Sequence, residues 1–555
     1  MTRTTTTTGT DRGARVDRRA ISRNADGSLA GLVVADRLGG GLTGGGLVGR
    51  AGAQTVPAPE GASLALAPFT LGVSSGDPLP DSMVLWTRLA PDPVHGGGMP
   101  SVPIPVQWEV STDERFTSLT QRGTVLATPE WGHSVHAEVR GLEPHRWYWY
   151  RFRVGGDISP VGRTRTAAAP QTGGQRLRMA FASCQMYEHG YFTAYRHLAE
   201  EDLDLVVHLG DYIYEHGPNE YQVASGNVRL HDGPEVDGLE SYRNRHALYK
   251  TDPELQIAHG RFPWIVTWDD HEVDNNWAAE IPEDEDFDIQ AFLVRRANAF
   301  QAYYEHMPLR RSAMPAGPDM ALYRRLRFGD LAELSVLDTR QYRSDQACGD
   351  RAGPLCPEAL EPGRTMTGNV QETWLTDGLS ASDARWNVVA QQVFMARRDF
   401  APGPEERFSM DGWDGYMPAR DRLLGFVREA EVPNLIVLTC DVHANWVAEL
   451  KADFADAESA TIGSEFVGTS ITSGGDGVDQ QPTTPEILAE NPHLKFYSGQ
   501  RGYVSCDITP EQWRSDYRVV PYVSRPGAPV ETRASFVVEA GQPGVVQVAG
   551  ASTVA

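Results

Sequence analysis

Residues 177–216 begin with L-R-M-A-F-A-S-C-Q and end with L-D-L-V-V-H-L-G-D-Y-I-Y-E-H. Met179–Ala182 and Leu205–Leu209 are short apolar runs of the kind that form buried parallel strands. Tyr191–Glu201, between them, has the composition and apolar spacing of a helix. The stretch therefore predicts a β-α-β unit.

Possible metal ligands follow both strands of this unit. Cys184 comes directly after the first strand, and Asp211 and Tyr214 come after the second. Ligands of open α/β sheets bind at the carboxyl ends of the strands. The unit thus predicts a thiol, a carboxylate and a phenol that face one crevice.

The size and charge of the chain limit its function class. It has 555 residues and a formal net charge of −24. This length allows two or more domains with a sizeable core. The charge is not balanced by a basic stripe, which argues against general nucleic-acid binding and suits a protein that holds cations. No apolar run reaches the length of about eighteen residues that a membrane span needs, so we expect none.

The chain has five cysteines, and two of them flank a short loop rich in Gly and Pro. These are Cys348 and Cys356. Their spacing favours a local disulfide in an oxidising compartment, with two free surface thiols as the alternative.

Residues 1–53 lack the pattern of a folded domain. Arg18-Arg19 precede a Gly-rich, moderately apolar stretch that ends in Ala51-Gly52-Ala53, which is similar to a twin-arginine export signal. We therefore expect a secreted or cell-envelope protein, with 54–67 as a linker. A disordered tail is the alternative, because charged residues interrupt or precede the apolar region: Asp17, Asp36, Arg37 and Arg50.

Residues 68–166 predict a small all-β domain of the fibronectin-III or immunoglobulin type. Short alternating strands are separated by turn clusters and contain no chemistry that we recognise. They read V-L-W-T-R-L, V-Q-W-E-V-S and W-Y-W-Y-R-F-R-V. A small-residue linker, 167–176, follows.

Residues 177–525 alternate apolar strands with helical segments and predict an α/β catalytic domain. Residues 526–555 form a C-terminal tail with a strand-like run that packs on the sheet or near the site. Glu283–Asp286 is acidic but lacks the calcium-loop pattern, so we expect a solvated loop. The clearest strands are 264–268, 331–338, 386–391 and 435–440, and the helices are 287–304, 369–380 and 419–430.

Candidate ligands follow four of the apolar strands. Each has an ordinary alternative when taken alone: a buried small thiol, a core tyrosine or a hydrogen-bonded core histidine. Their repetition at successive strand ends favours a metal site. The candidates are Cys184; Asp211 and Tyr214; Asp269, Asp270, His271, Asp274 and Asn275; and Asp441 and His443.

The ligand types restrict the choice of metal. A thiolate with a phenolate favours a Lewis-acidic transition metal such as ferric iron, and the carboxylates favour calcium or magnesium as a second cation. Two such cations can clamp a displacement at phosphorus. The pattern therefore predicts hydrolysis of phosphoric esters.

The motif order resembles that of calcineurin-like metallophosphoesterases, and in detail that of the PhoD-type alkaline phosphatases. The resemblance covers roughly residues 68–510. The motifs are G-D-Y-I-Y, D-D-H-E-V-D-N and C-D-V-H, together with F-T-L-G-V-S-S-G-D-P, L-D-T-R-Q-Y-R, D-V-H-A-N-W and F-Y-S-G-Q-R-G-Y.

The resemblance implies a metallophosphoesterase-like α/β sandwich with Fe³⁺ and Ca²⁺, in which metal-bound hydroxide attacks the substrate. Asp211 would bridge the two cations. His271 and Asn275 would face the phosphate, with His271 protonating the leaving group or stabilising the transition state. The iron ligands would be Cys184, Asp211, Tyr214 and His443, and Asp270 and Asp441 would complete the calcium side.

Four other residues near these motifs each have two possible roles. Asp274 either binds calcium or orients His271. Arg340 and Arg343 either clamp phosphate or are structural. Cys440 stands where the family usually has glycine, so it either crowds the strand end or adds a thiol near the metals.

The resemblance favours a secreted phosphomonoesterase and phosphodiesterase acting on a small molecule, a nucleotide or a head group, with a monomer expected. A phospholipase D of the metal-dependent type without the H-K-D motif is the alternative. Intact ligands argue against a non-catalytic binding protein. Haloperoxidase-like redox chemistry would leave the carboxylates unexplained.

Overall fold

The computed structural model describes residues 67–171, 176–284, 286–456 and 458–548. The predicted export signal, all but the last residue of the predicted linker at 54–67, and residues 549–555 lie outside the described residues. No helix in the described ranges is both long and apolar enough to cross a membrane.

The described residues form strands and helices in an order close to the predicted one. In the N-terminal region the strands are β1 (Val73–Leu79), β2 (Ser82–Arg88), β3 (Ile104–Ser111), β4 (Leu119–Ala127), β5 (Ser134–Arg140), β6 (Trp147–Val154), β7 (Asp157–Ile158) and β8 (Gly162–Arg165). Beyond it they are β9 (Leu177–Ala182), β10 (Leu205–His208), β11 (Pro263–Val266), β12 (Arg324–Phe328), β13 (Ala332–Val336), β14 (Trp386–Ala390), β15 (Leu435–Thr439), β16 (Asn445–Lys451), β17 (Thr461–Val467), β18 (Leu494–Ser498), β19 (Arg501–Ile508), β20 (Gln512–Val520), β21 (Glu531–Glu539) and β22 (Val546–Val548). The helices are α1 (Thr193–Glu200), α2 (Leu239–Lys250), α3 (Pro253–Arg261), α4 (Ile289–His306), α5 (Gly368–Ala381), α6 (Met417–Glu429) and α7 (Thr484–Glu490).

The N-terminal region is all β, as predicted. One sheet holds β3, β4, β6, β7 and β8, and it packs against β1, β2 and β5 through apolar side chains of both layers, such as Leu85 and Phe152. Strand β1 also pairs in parallel with β11, where Ser75 lies opposite Pro263. Half of the predicted sandwich is therefore continuous with the catalytic sheet.

The catalytic region has two face-to-face sheets, which confirms the predicted α/β sandwich. The ten-stranded sheet has the order β22-β21-β20-β19-β9-β10-β11-β1-β2-β5, and the seven-stranded sheet has the order β12-β13-β14-β15-β17-β16-β18. Buried residues such as Phe181 and Val388 form one core between the sheets. Helices α1 to α4 cover one outer face, and α5 and α6 cover the other.

The predicted β-α-β unit positions the candidate ligands. Strands β9, β10 and β11 are parallel, and so are β13, β14 and β15. Because parallel strands end at the same edge of a sheet, the loops that follow them meet there.

The sheet continues past the predicted tail boundary at residue 525. Strand β21 pairs antiparallel with β20, and β22 pairs with β21 at the sheet edge. Of the two predicted positions for the tail, the described residues show packing on the sheet. The alternating apolar residues of β21, such as Phe536 and Val538, enter the core between the sheets.

Candidate metal centre and active-site pocket

Three of the four predicted strand ends place donors of different chemistry around one point. The ligand atoms of Cys184, Asp211 and His443 all lie within 4.8 Å of one another. The Tyr214 hydroxyl donates a hydrogen bond to Asp211 Oδ2 at 2.8 Å and lies 3.2 Å from His443 Nε2. A thiol, a carboxylate, a phenol and an imidazole, from loops up to 259 positions apart in sequence numbering (184 to 443), therefore surround one space.

A second group of carboxylates adjoins the first. Asp269, Asp270 and Asp441 form one set of donors within 4.8 Å, and Asp211, Asp270 and His271 form another. Asp211 belongs to both the sulfur-containing group and a carboxylate group. This is the place that a bridging carboxylate needs.

The backbone at these ligands is strained. Cys184, Asp211, Asp441 and His443 have φ values of 56°, 54°, 67° and 52°. Residues other than glycine rarely adopt this left-handed region, and such strain is concentrated at functional sites. Gly210, with φ of 122°, has no room for a side chain, because an added Cβ would lie 2.4 Å from Asp269 Cβ.

Glu272, which the sequence analysis did not single out, holds two of these loops in place. Its carboxylate is buried and accepts hydrogen bonds from the backbone N–H of Asp211 at 3.1 Å, of Tyr212 and of Asp269 at 2.8 Å. Burial raises the pKa of Glu272 to about 8. The sequence feature that could have identified Glu272 is its position in the motif D-D-H-E-V-D-N, directly after His271.

The donor set fits cations. Asp211 Oδ1 and Asp269 Oδ2 are buried and have no hydrogen-bond partner among the described residues. Buried carboxylate oxygens are costly unless a donor or a cation pairs with them. Sulfur, phenol and imidazole around Asp211 suit a transition metal, and the aspartates beside it suit a hard cation such as calcium.

Burial also sets the protonation of the ligands. It raises the pKa of the Cys184 thiol, and next to that thiol it raises the pKa of the Asp211 carboxyl. The pKa of the Tyr214 phenol is raised by burial and by the nearby Asp211. Burial lowers the pKa of His443 to about 3, helped by the positive charge of Arg501. Without a cation, these groups favour their neutral forms.

We therefore expect cation binding to release protons and to weaken as the pH falls. The pKa values of the Cys184 thiol and the Tyr214 phenol are raised from ordinary values that already lie above neutral pH, so both groups keep their protons near neutral pH until a cation displaces them. Calorimetric titration of the metal-free protein in buffers of different ionisation enthalpy measures this release. More than one proton per bound transition metal is expected, and an affinity independent of pH between 6 and 9 would contradict the assignment.

Glu215 orients His271. Its Oε2 accepts a hydrogen bond from His271 Nδ1 at 2.7 Å, and its Oε1 accepts one from the Asn275 backbone N–H at 2.9 Å. Burial lowers the pKa of His271, but Glu215 and the nearby aspartates outweigh it and hold this pKa well above 6.5. Burial likewise raises the pKa of Glu215, but His271 lowers it to about 2 overall. His271 and Glu215 therefore form a buried ion pair.

The Asp274 carboxylate makes no hydrogen bond to His271. Its carboxylate lies 3.1 Å from Arg295 Nη1 and accepts a hydrogen bond from the Glu283 backbone N–H at 3.2 Å. The orienting role that the sequence left open for Asp274 belongs to Glu215, which stands within the opening stretch of the sequence analysis, directly after Tyr214.

Arg340 lies beneath the carboxylates and not at the pocket surface. Its side chain has no exposed area and pairs with Asp269 and, at 2.7 Å, with Asp411. Arg343 lies 2.8 Å from the same Asp411. These contacts support the structural alternative for both arginines and leave substrate contact by Arg340 without support. Burial raises the pKa of Asp270, but Arg340 outweighs it, so this carboxyl is held below its usual range.

A cavity of about 370 Å³ opens over the donors. His216 is a polar residue of its wall that the sequence analysis did not assign to the site. Asn275 is half-buried at the wall and donates a hydrogen bond from its side chain to Glu283 Oε1 at 2.6 Å. The wall consists of Asp211, His216, Glu220, Tyr221, Asp270, His271, Asn275, Asn276, Asp441 and His443.

Ser473 and Arg501 make hydrogen bonds that hold the candidate ligands Tyr214 and His443 in position. Ser473 Oγ donates a hydrogen bond to the Tyr214 hydroxyl at 2.7 Å. Arg501 donates to the backbone carbonyl of His443. The R in F-Y-S-G-Q-R-G-Y was the only signal for Arg501, and no pattern indicated Ser473.

The predicted disulfide is present, and the other three cysteines are free and buried. Cys348 and Cys356 form a disulfide. Cys440 is buried, donates a hydrogen bond to the Leu209 carbonyl at 3.1 Å and contacts Cys184 closely enough to raise the pKa of that thiol. Cys440 therefore adds a thiol next to the donors.

Comparison with known proteins identifies the family. The family model described as PhoD-like phosphatase matches residues 179–517, and that of the N-terminal domain of PhoD-like phosphatases matches residues 54–168. The chain belongs to the PhoD-like phosphatase family. It is therefore a hydrolase of phosphoric ester bonds, and membership implies a metal-dependent reaction.

Two relatives support this assignment. Alkaline phosphatase D of Bacillus subtilis (strain 168) is 55% identical over 481 residues, which cover 87% of this chain and 82% of that protein. A solved structure described as the structure of PhoD superposes with a TM-score of 0.87 at 54% identity, covering 89% of this chain and 94% of the other.

Proposed function

We propose that this PhoD-like phosphatase hydrolyses phosphomonoesters and phosphodiesters in the cavity above Asp211. The observation that carries the proposal is the convergence of Cys184, Asp211 and His443 within 4.8 Å beside a group of aspartates. The cavity of about 370 Å³ has the size of a small-molecule site.

The two donor groups support different cations. In this proposal Cys184, Asp211, Tyr214 and His443 would hold Fe³⁺, and Asp211, Asp270 and Asp441 would hold Ca²⁺. When bound, such cations polarise a phosphoryl oxygen and lower the pKa of a coordinated water.

His271 is the proposed proton donor to the leaving group. Glu215 fixes its Nδ1 proton, and its Nε2 makes no hydrogen bond to any described residue. Since His271 lines the cavity, Nε2 can meet the leaving oxygen or a phosphoryl oxygen of the substrate. Asn275 lines the same wall and would contact the phosphate.

The wall of the cavity favours small polar esters over phospholipids. Its ten residues include one phenol ring, that of Tyr221, and three imidazole rings, but no aliphatic side chain. A phospholipase D would need an apolar rim for acyl chains. The disulfide and the Arg18-Arg19 pattern support export to an oxidising compartment, secreted or in the cell envelope.

Metal analysis combined with activity tests this proposal. Elemental analysis of the purified full chain should find iron and calcium, and 4-nitrophenyl phosphate and bis(4-nitrophenyl) phosphate should both be hydrolysed. EGTA should remove calcium and activity together, and added Ca²⁺ should restore both. Full activity after metal removal verified by elemental analysis would overturn the proposal, and faster cleavage of phosphatidylcholine than of either ester would favour the lipid alternative.

A further inference from the structure

Arg398 is a buried cation without a carboxylate partner. The residue is only 6% exposed, and its guanidinium makes no ion pair or hydrogen bond with any described residue. Burying an unpaired charge is costly, so buried charges in proteins are normally paired. Arg398 therefore needs an explanation that fold stability does not supply.

The carboxylates that act most strongly on the pKa of Arg398 interact with other groups. The carboxylates that raise the pKa of Arg398 are Asp414, Asp441 and Glu465, although burial lowers it to about 10 overall. Asp414 pairs with Arg420 at 2.6 Å, and Glu465 accepts two backbone hydrogen bonds at 2.8 Å each. Asp441 belongs to the cavity wall.

Aromatic rings fix the Arg398 guanidinium in position. Its central carbon lies 4.2 Å from the ring centre of Phe394, 4.3 Å from that of Phe400 and 5.4 Å from that of Trp446. Cation–π contacts of this kind orient an arginine without neutralising its charge. The guanidinium is thus held ready for an anion.

Two nitrogen donors in this cluster are unused. Arg398 Nε and Trp446 Nε1 are both buried and have no acceptor among the described residues. Both atoms are enclosed, so an external ligand cannot reach them directly, and it can meet Arg398 only at the two terminal nitrogens, which are not among the enclosed donors without a partner. An anionic ligand at these terminal nitrogens would neutralise the charge of Arg398.

The fold places this cluster beside the cavity. Arg398 lies in the loop that follows β14, and Asp441 lies in the loop that follows β15, the parallel neighbour of β14. The two loops leave the sheet at the same edge. Trp446 lies at the beginning of β16, three residues after His443.

We propose that Arg398, held in place by Phe394, Phe400 and Trp446, binds a second negatively charged group of the substrate, a carboxylate or phosphate carried by the leaving group. The scissile phosphoryl group lies over Asp211 and His271, and the leaving group extends past Asp441 toward Arg398. The subsite rests on the proposed phosphoesterase function. It makes the enzyme select esters whose leaving group is itself anionic.

Matched substrates test the subsite. Phenyl phosphates with a carboxylate at the 2-, 3- or 4-position are compared with the corresponding carboxamides, which are neutral and of similar size. The ratio of kcat/KM within each pair cancels general losses of activity. Wild-type enzyme should prefer the carboxylate in at least one pair, and Arg398→Gln should lower that ratio by roughly 10- to 100-fold.

Two further variants give controls. Arg397→Gln removes a neighbouring arginine that pairs with Glu406, and it should leave the ratio unchanged. Arg398→Lys keeps the charge without the planar fork, and it should retain part of the preference.

The possible failures are distinguishable. A melting temperature and kcat/KM that fall in Arg398→Gln with an unchanged ratio would show a structural role and overturn the subsite. An equal fall of the ratio in Arg397→Gln, or no preference in the wild type, would also overturn it. If no ester at all is hydrolysed by metal-loaded wild type, the proposed function itself fails.

Discussion

Asp211→Asn is expected to abolish phosphoesterase activity while leaving the protein folded. Asp211 is the carboxylate shared by both donor groups, and its buried Oδ1 has no hydrogen-bond partner in the part of the chain that the structure describes. An amide cannot supply the negative charge that two cations require. The loss in kcat/KM should exceed the roughly 10²- to 10³-fold loss that follows removal of one oxyanion-hole donor. Steady-state kinetics with 4-nitrophenyl phosphate, together with elemental analysis, measure it.

A matched aspartate separates this effect from a fold defect. Asp204 lies at the opposite end of β10, accepts a hydrogen bond from the Arg178 backbone N–H at 2.9 Å and pairs with Arg165. Asp204→Asn should lower the melting temperature yet retain kcat. Metal-free wild type and Asp211→Asn should melt at similar temperatures, and only wild type should gain stability from added cations. Wild-type kcat in Asp211→Asn would remove the bridging role.

Cys184→Ala is expected to act in the same way, because it removes the sulfur donor of the first group. Iron should be lost while the circular dichroism spectrum stays unchanged. Retention of both iron and turnover would show that the thiol is only a buried apolar contact.

His271→Ala is expected to lower kcat by roughly 10²- to 10⁴-fold, the usual contribution of a general acid. The loss should be greatest for alkyl phosphates, whose leaving groups need a proton most. A similar loss for alkyl and 4-nitrophenyl esters would indicate phosphate binding and not proton donation.

Glu215→Gln tests how His271 keeps its proton. With cations on Asp211 and Asp270, Glu215 is the remaining negative charge beside the imidazole. Its removal lowers the pKa of His271, so the proton leaves at lower pH and the alkaline limb of the kcat profile moves toward neutral. Glu465→Gln changes another fully buried glutamate, one that accepts hydrogen bonds from the backbone N–H groups of Met395 and Ala396 and from the Thr439 hydroxyl, and it should not move this limb. An unshifted limb in Glu215→Gln would contradict the ion-pair role.

The local sequence pattern was sufficient to predict these strands and to identify the candidate ligands that follow them. The apolar runs before Cys184, Asp211 and Asp441 mark buried parallel strands, and chain direction alone puts the next residues at the sheet edge. The ligand types then indicated a metal site. The disulfide between Cys348 and Cys356 was predictable because only eight positions separate the two cysteines.

The local sequence pattern did not indicate which side chains would form hydrogen bonds and ion pairs with each other. Glu215 meets His271 across 56 positions, and Arg340 meets Asp269 across 71. An arginine after a strand looks the same in sequence whether it faces substrate or lies beneath four carboxylates. The same limit applied to β1, whose alternation predicted a strand but not its pairing with β11 in the catalytic sheet.

By itself, the sequence determined where the clearest strands lie along the chain, the chemistry of the donors and the end of each strand at which they lie, because periodicity and chain direction are local properties. Only the tertiary structure decided which carboxylate orients His271, that Arg340 is buried, that residues after 525 extend the sheet, and that the Arg398 guanidinium has no acidic partner among the described residues. Each of these features depends on contacts between segments that are far apart in the chain. The free energy of such a contact depends on both segments, so neither segment alone predicts it.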